Sequence, residues 1–537
     1  MSITRPRSGI ARGAPDRANL ACLLWEAAAH AGQRPALLQP GRAATYAELQ
    51  SRAAAVRQHL DSLGVRPGDR VALLLERGID AAACYFGILA AGAVAVVVND
   101  KLRPRQIEHV LRHSGAAALL TTRAALQHQP RALETQTLII DIVAIPAGAQ
   151  GTPRPRIGAD LAQIVFTSGS TGLPKGVVFT HANLQCGART VASYLGLTAD
   201  DRIASLLPLS SVYGLNQLLC AVASRASLVV ELSTLPDQIE SVTRAAGVTV
   251  LAAVPPLWLQ LLRVPRFTRE PMPALRIMQN AGGHLPVDAV HRLRTAQPHA
   301  HLFLQYGLTE AFRSTFLDPR EVDVHPDAIG RAVPGAEIFV LRDDDTVCEV
   351  DEVGELVHRG ATVAAGYWDD AEATARVFRA NPLRPAGAPD AERVVFSGDL
   401  VRRDAHGLLH FVGRRDRMIK TLGYRVAPDE VADVLLASGQ VVEAVVTGEP
   451  DGERGERVVA YVVLSRTGSR ERLVAFCRAE LPRYMQPGRY ELRESLPRLG
   501  GGKYDLAALR QSPPARSGRP AASAMMPATA TAPPPPP

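Results

Sequence analysis

The chain has 537 residues, 47% hydrophobic and 21% charged, a composition typical of a globular protein long enough for two or more domains. Its six cysteines lie far apart without a CxxC spacing, which favours free thiols in a reducing compartment over a disulfide framework or a zinc site. The formal net charge is +7, yet we find no basic stripe interleaved with aromatic residues. We therefore predict a solvated charged surface and no nucleic-acid partner.

The first thirty residues include arginines and acids but no uninterrupted apolar core, so we expect no secretory signal and a cytoplasmic location. Residues 81–98 form the one run that resembles a membrane span. Their many alanines and two interior glycines favour instead a buried helix over 81–91 followed by a buried strand over 93–98. The sequence therefore predicts no membrane span.

The order of elements along the chain predicts an α/β fold in two domains. Apolar runs alternate with helical patterns from residue 44 to 253, which indicates two parallel-rich sheets covered by helices. Elements shorten and turns become frequent over 337–411, which favours a small barrel-like subdomain. After residue 413 a helix, two strands and a second helix predict a small α+β domain.

We place the boundaries as follows: a flexible N-terminus over 1–18, a large N-terminal domain over 19–412, and a small C-terminal domain over 413–511. Residues 512–537 consist mainly of Ser, Ala, Pro and Arg. This composition cannot bury enough apolar area to fold, and it predicts a disordered tail.

Residues 164–178 carry the strongest chemical signal, because an apolar strand runs into a loop of small and hydroxylated residues and then a lysine. Glycines permit close approach, hydroxyls donate hydrogen bonds, and one cation is present, as holding a polyphosphate requires. The lysine precedes Gly176 rather than Ser or Thr, so this is not a Walker A loop. A plain turn between two strands is the alternative. The loop residues are Thr167, Ser168, Gly169, Ser170, Thr171, Gly172 and Lys175.

Three further segments follow apolar runs, where open α/β sheets place their ligands. Ala281 to His284 contains the pair Gly282 and Gly283, whose alternative role is a tight turn. Residues 305–310, Gln-Tyr-Gly-Leu-Thr-Glu, end in a carboxylate suited to Mg²⁺. Asp399 follows Ser397 and Gly398, and a carboxylate there can accept hydrogen bonds from ribose hydroxyls.

Lysine is rare in this chain: four residues, against 56 arginines. A compact ammonium reaches a phosphate or carboxylate in a tight pocket where a planar guanidinium often does not. Lys175 lies in the phosphate loop, Lys420 ends the charge-rich segment 411–420, and Lys503 follows three glycines.

Together these segments, in this order and spacing, resemble the adenylate-forming superfamily of acyl-CoA synthetases, adenylation domains and luciferases. The resemblance implies an ATP-dependent acid–thiol ligase. Such an enzyme adenylates a carboxylic acid, releases pyrophosphate, and transfers the acyl group to a thiol with release of AMP. It also implies Mg²⁺ and a mobile C-terminal domain that turns about a hinge at 414–417, at Asp416.

The resemblance also assigns roles to residues. It makes Lys503, Glu310, Thr309 and Lys175 catalytic, with Glu310 holding Mg²⁺. It adds ATP- or AMP-binding residues beyond the phosphate loop: Gly282, Gly283, Tyr306, Gly307, Thr309, Glu310, Asp399, Phe411, Arg414 and Lys503.

The acyl site is less clearly marked. By alignment, Ser211 and Val212 stand where relatives carry a histidine or an aspartate. Without the aspartate, a substrate ammonium would be buried unpaired, which disfavours an amino acid and favours a fatty or other acyl acid. The expected pocket is Ser211, Val212, Tyr213, Gly214, Val254, Pro255, Gly283 and Leu308. The alternative for the five positions Tyr213, Val254, Pro255, Gly283 and Leu308 is that each belongs to the packed core.

The acceptor is either CoA or the phosphopantetheine arm of a separate carrier protein. The resemblance assigns Gly423, Tyr424 and Arg425 to the thiol tunnel. The 26 residues after Gln511 are too few for a carrier domain.

Residues 306–317 look most like AMP-forming acyl-CoA ligases associated with exosortase systems, and proline-activating carrier-protein ligases are the alternative. A nucleotide-binding scaffold without turnover is the alternative from another class. No oligomeric state is indicated.

Overall fold

A computed structural model of the chain describes residues 18–100, 102, 104–127, 135–146, 148–168, 174–385, 387, 392–415, 417–421, 424–451, 456–481, 483–499 and 503–511. The helices in this part of the chain are α1 Cys22–Ala31, α2 Tyr46–Ser62, α3 Ile79–Ala90, α4 Pro104–Ser114, α5 Arg123–Gln127, α6 His181–Tyr194, α7 Val212–Ser224, α8 Pro236–Ala245, α9 Pro255–Leu261, α10 Pro265–Arg269, α11 Val287–Ala296, α12 Ala371–Val377, α13 Pro428–Ala437, α14 Arg470–Glu480 and α15 Leu506–Gln511. Short 3-10 turns cover Ile142–Ala144 and Thr309–Ala311.

The strands up to the middle of the chain are β1 Pro35–Gln39, β2 Arg42–Thr45, β3 Arg70–Leu73, β4 Val94–Val97, β5 Ala118–Thr121, β6 Leu138–Asp141, β7 Leu161–Ser168, β8 Pro174–Thr180, β9 Arg202–Ser205, β10 Ser227–Val230, β11 Val250–Ala253, β12 Ile277–Asn280 and β13 His301–Tyr306. The later strands are β14 Thr315–Leu317, β15 Ala328–Ala332, β16 Ala336–Leu341, β17 Val353–Gly360, β18 Gly366–Tyr367, β19 Phe378–Ala380, β20 Arg393–Arg403, β21 Leu409–Arg414, β22 Ile419–Thr421, β23 Tyr424–Val426, β24 Val441–Pro450, β25 Glu456–Leu464 and β26 Arg489–Leu492.

Two sheets dominate the first part of the fold, and both are rich in parallel pairs, as predicted. The larger sheet has a parallel centre, β1-β10-β9-β11-β12-β13, and continues through antiparallel strands β14, β15, β21, β20, β17 and β16. The smaller sheet has the order β18-β8-β7-β4-β3-β5-β6, parallel except for its β7–β8 and β8–β18 pairs. Within the described pairings the antiparallel strands extend an open sheet, so closure into a barrel-like subdomain stays a prediction.

The alanine-rich run 81–98 forms α3 and β4, as predicted. Every residue of Val94–Val97 is buried, and α3 packs tightly against α2. A Cβ atom at Gly87 would lie 2.6 Å from Cβ of Val56, so only glycine allows this approach. In the described part of the chain, no helix combines the length and apolar character that crossing a bilayer requires.

Residues beyond 418 have hydrophobic clusters of their own. One is formed mainly by β24, β25, α13 and α14, with Val431, Leu435 and Leu473 fully buried. A second joins Leu496 and Leu509 to the other face of β25. The antiparallel pair β24–β25 and the parallel pair β25–β26 form a separate three-stranded sheet.

Candidate active site

The phosphate-loop segment is a hairpin of the smaller sheet. Strands β7 and β8 pair antiparallel, with Thr167 opposite Lys175 and Ser168 opposite Pro174. Gly169, Ser170, Thr171 and Gly172 lie outside the described residues. The Nζ atom of Lys175 lies 3.5 Å from Oδ2 of Asp370 and 5.8 Å from the ring centre of Tyr367. The Lys175 side chain is therefore held against Tyr367 and Asp370 rather than extended into solvent.

The predicted metal ligand, Glu310, is fixed by a residue distant in sequence. Glu310 lies in the 3-10 turn after β13, and the hydroxyl of Tyr367 donates a 2.6 Å hydrogen bond to its Oε1. Burial first, and then the charge of Glu310, raise the pKa of Tyr367, so the phenol stays a donor. No other hydrogen bond to this carboxylate is made by described residues, which leaves Oε2 for a cation. The fit suits Mg²⁺, which takes few protein oxygens and completes its shell with phosphate and water.

The nucleoside side of the cleft is built around Asp399, which is buried. The hydroxyl of Tyr306 donates to Oδ2 at 2.5 Å, and Nη1 of Arg414 lies 3.0 Å from Oδ1. Strand pairing sets this contact, since Asp399 on β20 is opposite Arg414 on β21. The ring of Phe411 lies 6.4 Å from that of Tyr306. Four predicted nucleotide residues from three strands are thus brought together.

The glycine pair after β12, Gly282 and Gly283, exposes backbone at the cleft. Ala281 is buried, whereas Gly282 and Gly283 are exposed. A Cβ atom at Gly282 would lie 3.3 Å from Val254, and one at Gly283 would lie 3.3 Å from Pro255. Gly282 also has φ +84°, which an L side chain rarely adopts. These positions therefore keep backbone accessible where larger residues would crowd it.

Lys503 is carried on a turn of the C-terminal part of the chain. Leu499 N–H donates to Lys503 O at 2.7 Å, and Asp505 N–H donates to Pro497 O at 2.9 Å. Although Lys503 itself is exposed, the pKa of its ammonium is lowered, first by desolvation, then by Arg417 and Arg414. Asp399 and Glu310 oppose that shift. The amine therefore lies within electrostatic reach of both cleft carboxylates.

Two ion pairs connect the C-terminal part of the chain to the larger part. Nε2 of His284 lies 2.9 Å from Oδ2 of Asp433 on α13. Glu443 lies between Arg263, at 3.8 Å, and Arg498, at 2.9 Å, and Arg498 is on the Lys503 turn. We call these two contacts the seam. They fix how the part of the chain that bears Lys503 lies against the larger part.

The predicted hinge and thiol tunnel are only partly within the structure. Asp416 and Gly423 lie outside the described residues, and only the backbone of Tyr424 and Arg425, in β23, is described. Next to the hinge, Arg415 is anchored to the large part of the chain: its N–H donates to Gly398 O at 2.8 Å, and its side chain pairs with Asp343 and Glu355.

The expected acyl-pocket residues divide into two kinds. Ser211 caps α7, because its Oγ accepts from Gly214 N–H at 3.0 Å and donates to Pro208 O at 2.9 Å. Val212 and Gly214 are buried in the helix. Tyr213 is partly exposed, and its hydroxyl donates to Gln279 O at 2.9 Å. Val254 and Leu308 are likewise only half-buried.

Several contacts in the cleft are not visible in the motifs. Tyr367 and Asp370 contact Glu310 and Lys175 across separations of 57 and 195 residues, respectively. Arg313, whose guanidinium carbon lies 4.8 Å from the ring centre of Tyr213, is one of 56 arginines and carries no mark of burial in the sequence. The weak available signal was the aromatic and acidic content of residues 367–370, next to a predicted turn.

The fold and this cleft define a two-domain enzyme that holds a nucleoside triphosphate beside an acid. A family model described as AMP-binding enzyme matches residues 24–368, and one described as AMP-binding enzyme C-terminal domain matches residues 430–503. The chain belongs to the AMP-binding enzyme family.

Similar proteins agree with this family. The long-chain-fatty-acid–CoA ligase of Salmonella typhimurium is 28% identical over 541 residues, covering 91% of this chain and 94% of that protein. A probable non-canonical nonribosomal peptide synthetase, CymA, of Salinispora arenicola is 35% identical, covering 90% of this chain and 6% of that protein.

Among solved structures, the o-succinylbenzoate CoA synthetase of Bacillus subtilis in complex with its acyl-adenylate intermediate has a TM-score of 0.81 at 26% identity. The similarity covers 93% of this chain and 99% of that one. The same synthetase in complex with ATP and magnesium has a TM-score of 0.79 at 27% identity, covering 90% of this chain and 98% of that one.

The predicted reaction class and cofactors are confirmed. The chain is an AMP-forming ligase that adenylates a carboxylic acid with ATP and Mg²⁺ and transfers the acyl group to a thiol. None of these relatives tests the exosortase-associated subgroup, which stays a prediction.

Proposed function

We propose that Lys503 is the residue on which the first half-reaction depends. In that step a carboxylate oxygen of the acid attacks the α-phosphorus of ATP, and the bond to the bridging oxygen breaks to release pyrophosphate. Two observations carry the proposal: the ion pairs His284–Asp433 and Arg263–Glu443 join the part of the chain that bears Lys503 to the larger part, and Asp399 and Glu310 act electrostatically on the Lys503 ammonium. A positioned ammonium offsets the repulsion between carboxylate and phosphate and stabilises the charge spread in the transition state.

Other cleft residues take supporting roles in this proposal. Glu310 and phosphate oxygens hold Mg²⁺, which neutralises charge on the phosphates. Lys175 and the loop 167–172 hold the phosphates, and Thr309 donates to the α-phosphate. Tyr306 and Phe411 flank the adenine, while Asp399 and Arg414 take the ribose.

In the second half-reaction, the thiol sulfur attacks the acyl carbon of the adenylate. The carbon–oxygen bond to AMP breaks, and the thiol proton leaves to solvent. We propose that the 413–511 domain turns about Asp416 between the two steps and presents Gly423, Tyr424 and Arg425 to the thiol. CoA and a carrier-bound phosphopantetheine have the same reacting arm, and a cytoplasmic location supplies both ATP and CoA.

The acid in this proposal is an acyl acid rather than an amino acid. Val212 offers no carboxylate for an ammonium, and Ser211 is occupied in capping α7. Tyr213, Val254 and Leu308 provide partly exposed apolar surface. Support of pyrophosphate exchange by proline, but not by acyl acids, would favour the carrier-loading alternative.

Exchange of pyrophosphate into ATP, measured with a broad acid panel, tests the role of Lys503. We expect Lys503→Ala to lower exchange at least about 100-fold, because one preorganised charge interaction commonly supplies that much. Thioester formation from chemically supplied acyl-adenylate should change little, since the adenylation step is then bypassed.

Arg510→Ala is the matched control, since Arg510 is an exposed cation on α15 close in sequence. Unchanged exchange in Lys503→Ala would contradict the proposed role. ATP binding without exchange for any acid would favour a nucleotide-binding scaffold instead.

A further inference from the structure

Arg313 is a buried cation that pairs with no carboxylate in the described part of the chain. Only 3% of the residue is exposed, and its side chain makes no hydrogen bond or ion pair with any described residue. Its Nε is buried without a partner. A guanidinium has five N–H donors and stays protonated, so burying it unpaired is among the most costly arrangements in a protein.

The groups around Arg313 do not supply the missing charge. Its guanidinium carbon lies 4.8 Å from the ring centre of Tyr213, and this cation–π contact supplies no hydrogen-bond acceptor. The charge of Arg313 also acts electrostatically on Tyr194 and Cys220. Burial raises the pKa of the Tyr194 and Tyr213 phenols and of the Cys220 thiol. All three groups are therefore neutral at physiological pH.

Residues that contact Tyr213, Tyr194 or Cys220, and Ser314 next to Arg313, also have buried polar atoms that no described residue hydrogen-bonds. Gln279 contacts Tyr213 through its backbone carbonyl, and Gln305 Nε2 donates to the Tyr194 hydroxyl at 2.8 Å. The Cys220 thiol donates to Asn216 at 3.4 Å. The buried atoms without a hydrogen-bond partner are Gln279 Oε1, Gln305 Oε1, Asn216 Nδ2 and Ser314 Oγ. An apolar alkyl chain would leave these groups unsatisfied.

The position of Arg313 relates this polar cluster to the acyl site. Its backbone folds back on the loop after β13: a Cβ atom at Gly307 would lie 3.2 Å from Cα of Arg313. Gly307 lies between Tyr306 and Glu310, the proposed adenine and metal residues. The side chain stacks on Tyr213, an expected acyl-pocket residue. The guanidinium is thus within one side-chain length of the loop 306–310, which in the proposed function holds the adenine, the α-phosphate and the metal.

We propose that Arg313 binds a second carboxylate, carried at the far end of the acid that this enzyme activates. The inference rests on the proposed function and narrows its substrate class to short dicarboxylic acids. The distal carboxylate accepts from the guanidinium, and Asn216 Nδ2 and Ser314 Oγ are the further donors available to it. The two glutamine oxygens are acceptors and take no hydrogen bond from a carboxylate. A charge-assisted, bidentate contact of this kind also gives strong discrimination, because the monocarboxylic analogue leaves the buried arginine unpaired.

Matched acids of four to eight carbons test this inference in the exchange assay: the monocarboxylic acid, its ω-hydroxy derivative and the dicarboxylic acid. With the wild-type enzyme we expect kcat/KM for the best dicarboxylic acid to exceed that for its monocarboxylic partner at least tenfold. We expect Arg313→Gln to lower the dicarboxylic value at least tenfold and to lower the monocarboxylic value less. The KM for ATP should not change.

Arg313→Lys retains the charge and should keep part of the preference for dicarboxylic acids, while the exposed control Arg320→Gln should keep all of it. The wild-type acid panel provides the test even if an Arg313 variant does not fold. Equal rates for matched mono- and dicarboxylic acids would overturn the inference and leave the ligase function intact. So would a preference for ω-hydroxy acids. Absence of exchange with every acid would overturn the proposed function and this inference together.

Discussion

Asp399 holds the nucleoside side of the cleft together from two directions. Its two oxygens contact the Tyr306 hydroxyl and the Arg414 guanidinium, and its own side chain is 7% exposed. A buried carboxylate is tolerated where a cation and a hydroxyl satisfy it. Removing the Asp399 carboxylate therefore changes both the position of the Tyr306 ring and the charge next to Arg414. These effects add to the loss of any contact with ribose.

Replacing Asp399 by alanine should raise the KM for ATP by about 10- to 100-fold, because a charge-assisted contact and the position of Tyr306 are lost together. Unfolding free energy should fall by about 2 kcal/mol, since Arg414 loses a partly buried partner. Exchange kinetics and thermal denaturation measure the two effects.

Asp200→Ala is the control for this variant, since its ion pair with Arg34 is exposed and should contribute almost nothing. A normal KM for ATP in Asp399→Ala would exclude Asp399 from the nucleotide site.

Sequence reasoning predicted the site residues that lie in a recognisable motif and missed those that do not. Tyr306 and Arg414 end their strands, where topology alone predicts proximity. Asp399 was expected at a strand end but lies within β20, and Phe411 lies within β21, so the pairing of these two strands brings them to the cleft. Arg313 could not be predicted, because the burial of one arginine depends on how distant helices pack around it. That no described residue pairs with it follows from the folded chain and not from the local sequence.

Helix α7 shows how a single element positions the acyl side of the cleft. Ser211 caps its first turn, and the following backbone passes so close to Pro208 that a Cβ atom at Gly214 would lie 2.1 Å from that carbonyl oxygen. Gly214 is therefore required by helix packing as well as by any role beside the acid. The position of Tyr213 is therefore set by the first turn of α7.

A Gly214→Ala substitution should displace the start of α7 and destabilise the protein by about 1–3 kcal/mol, the usual cost of overpacking. The KM for the acid should rise, while ATP binding should persist because its residues lie on other elements. Thermal denaturation and exchange kinetics report these effects.

Ser224→Ala, near the other end of the same helix, is a control that should alter neither value strongly. Full stability in Gly214→Ala would show that the backbone adjusts at no cost.

Elements with strong local signals were predictable, and their long-range pairings were not. Thr45 with Glu48, and Thr180 with Asn183, form reciprocal caps that begin α2 and α6. The short strand β18 gave no such signal. Its pairing with β8 depends on a crossing between the two large sheets that local sequence does not encode.

At the scale of the whole molecule, we predict that the seam makes docking of the C-terminal part of the chain sensitive to pH. Burial opposes protonation of His284, but Asp433, with Asp429 and Asp327 further off, outweighs it and raises the imidazole pKa. Asp429 and Asp433 lie on α13, and Arg417 also acts on Asp429. The protonated imidazole is thus favoured by the docked arrangement.

Because docking raises the His284 pKa, its stabilising effect is complete below the pKa of the undocked imidazole and is lost as pH rises through the docked value. Exchange, which needs Lys503 docked, should therefore fall over that window. His284→Gln should flatten this part of the pH profile.

Profiles of exchange against pH for wild type, His284→Gln and the exposed control His291→Gln make the comparison. Superimposable wild-type and His284→Gln profiles would show that the seam histidine has no part in docking.

The hinge proposal has a separate test. Proline fixes φ near −65° and so restricts rotation about residue 416. Asp416→Pro should preserve pyrophosphate exchange and lower thioester formation at least about tenfold, as single-turnover assays of each step would show. Equal loss of both activities would argue against a hinge at this residue.

Strand β18 has a practical consequence for redesign. It pairs with β8, the strand that bears Lys175, and so places Tyr367 and Asp370 next to that lysine. The Tyr367 hydroxyl also donates a hydrogen bond to Glu310. In the proposed function, the residues that hold the triphosphate are thus connected to one another across both large sheets. An engineer seeking a new acid specificity should vary α7 first, since changes near residue 310 would disturb the machinery shared by every substrate.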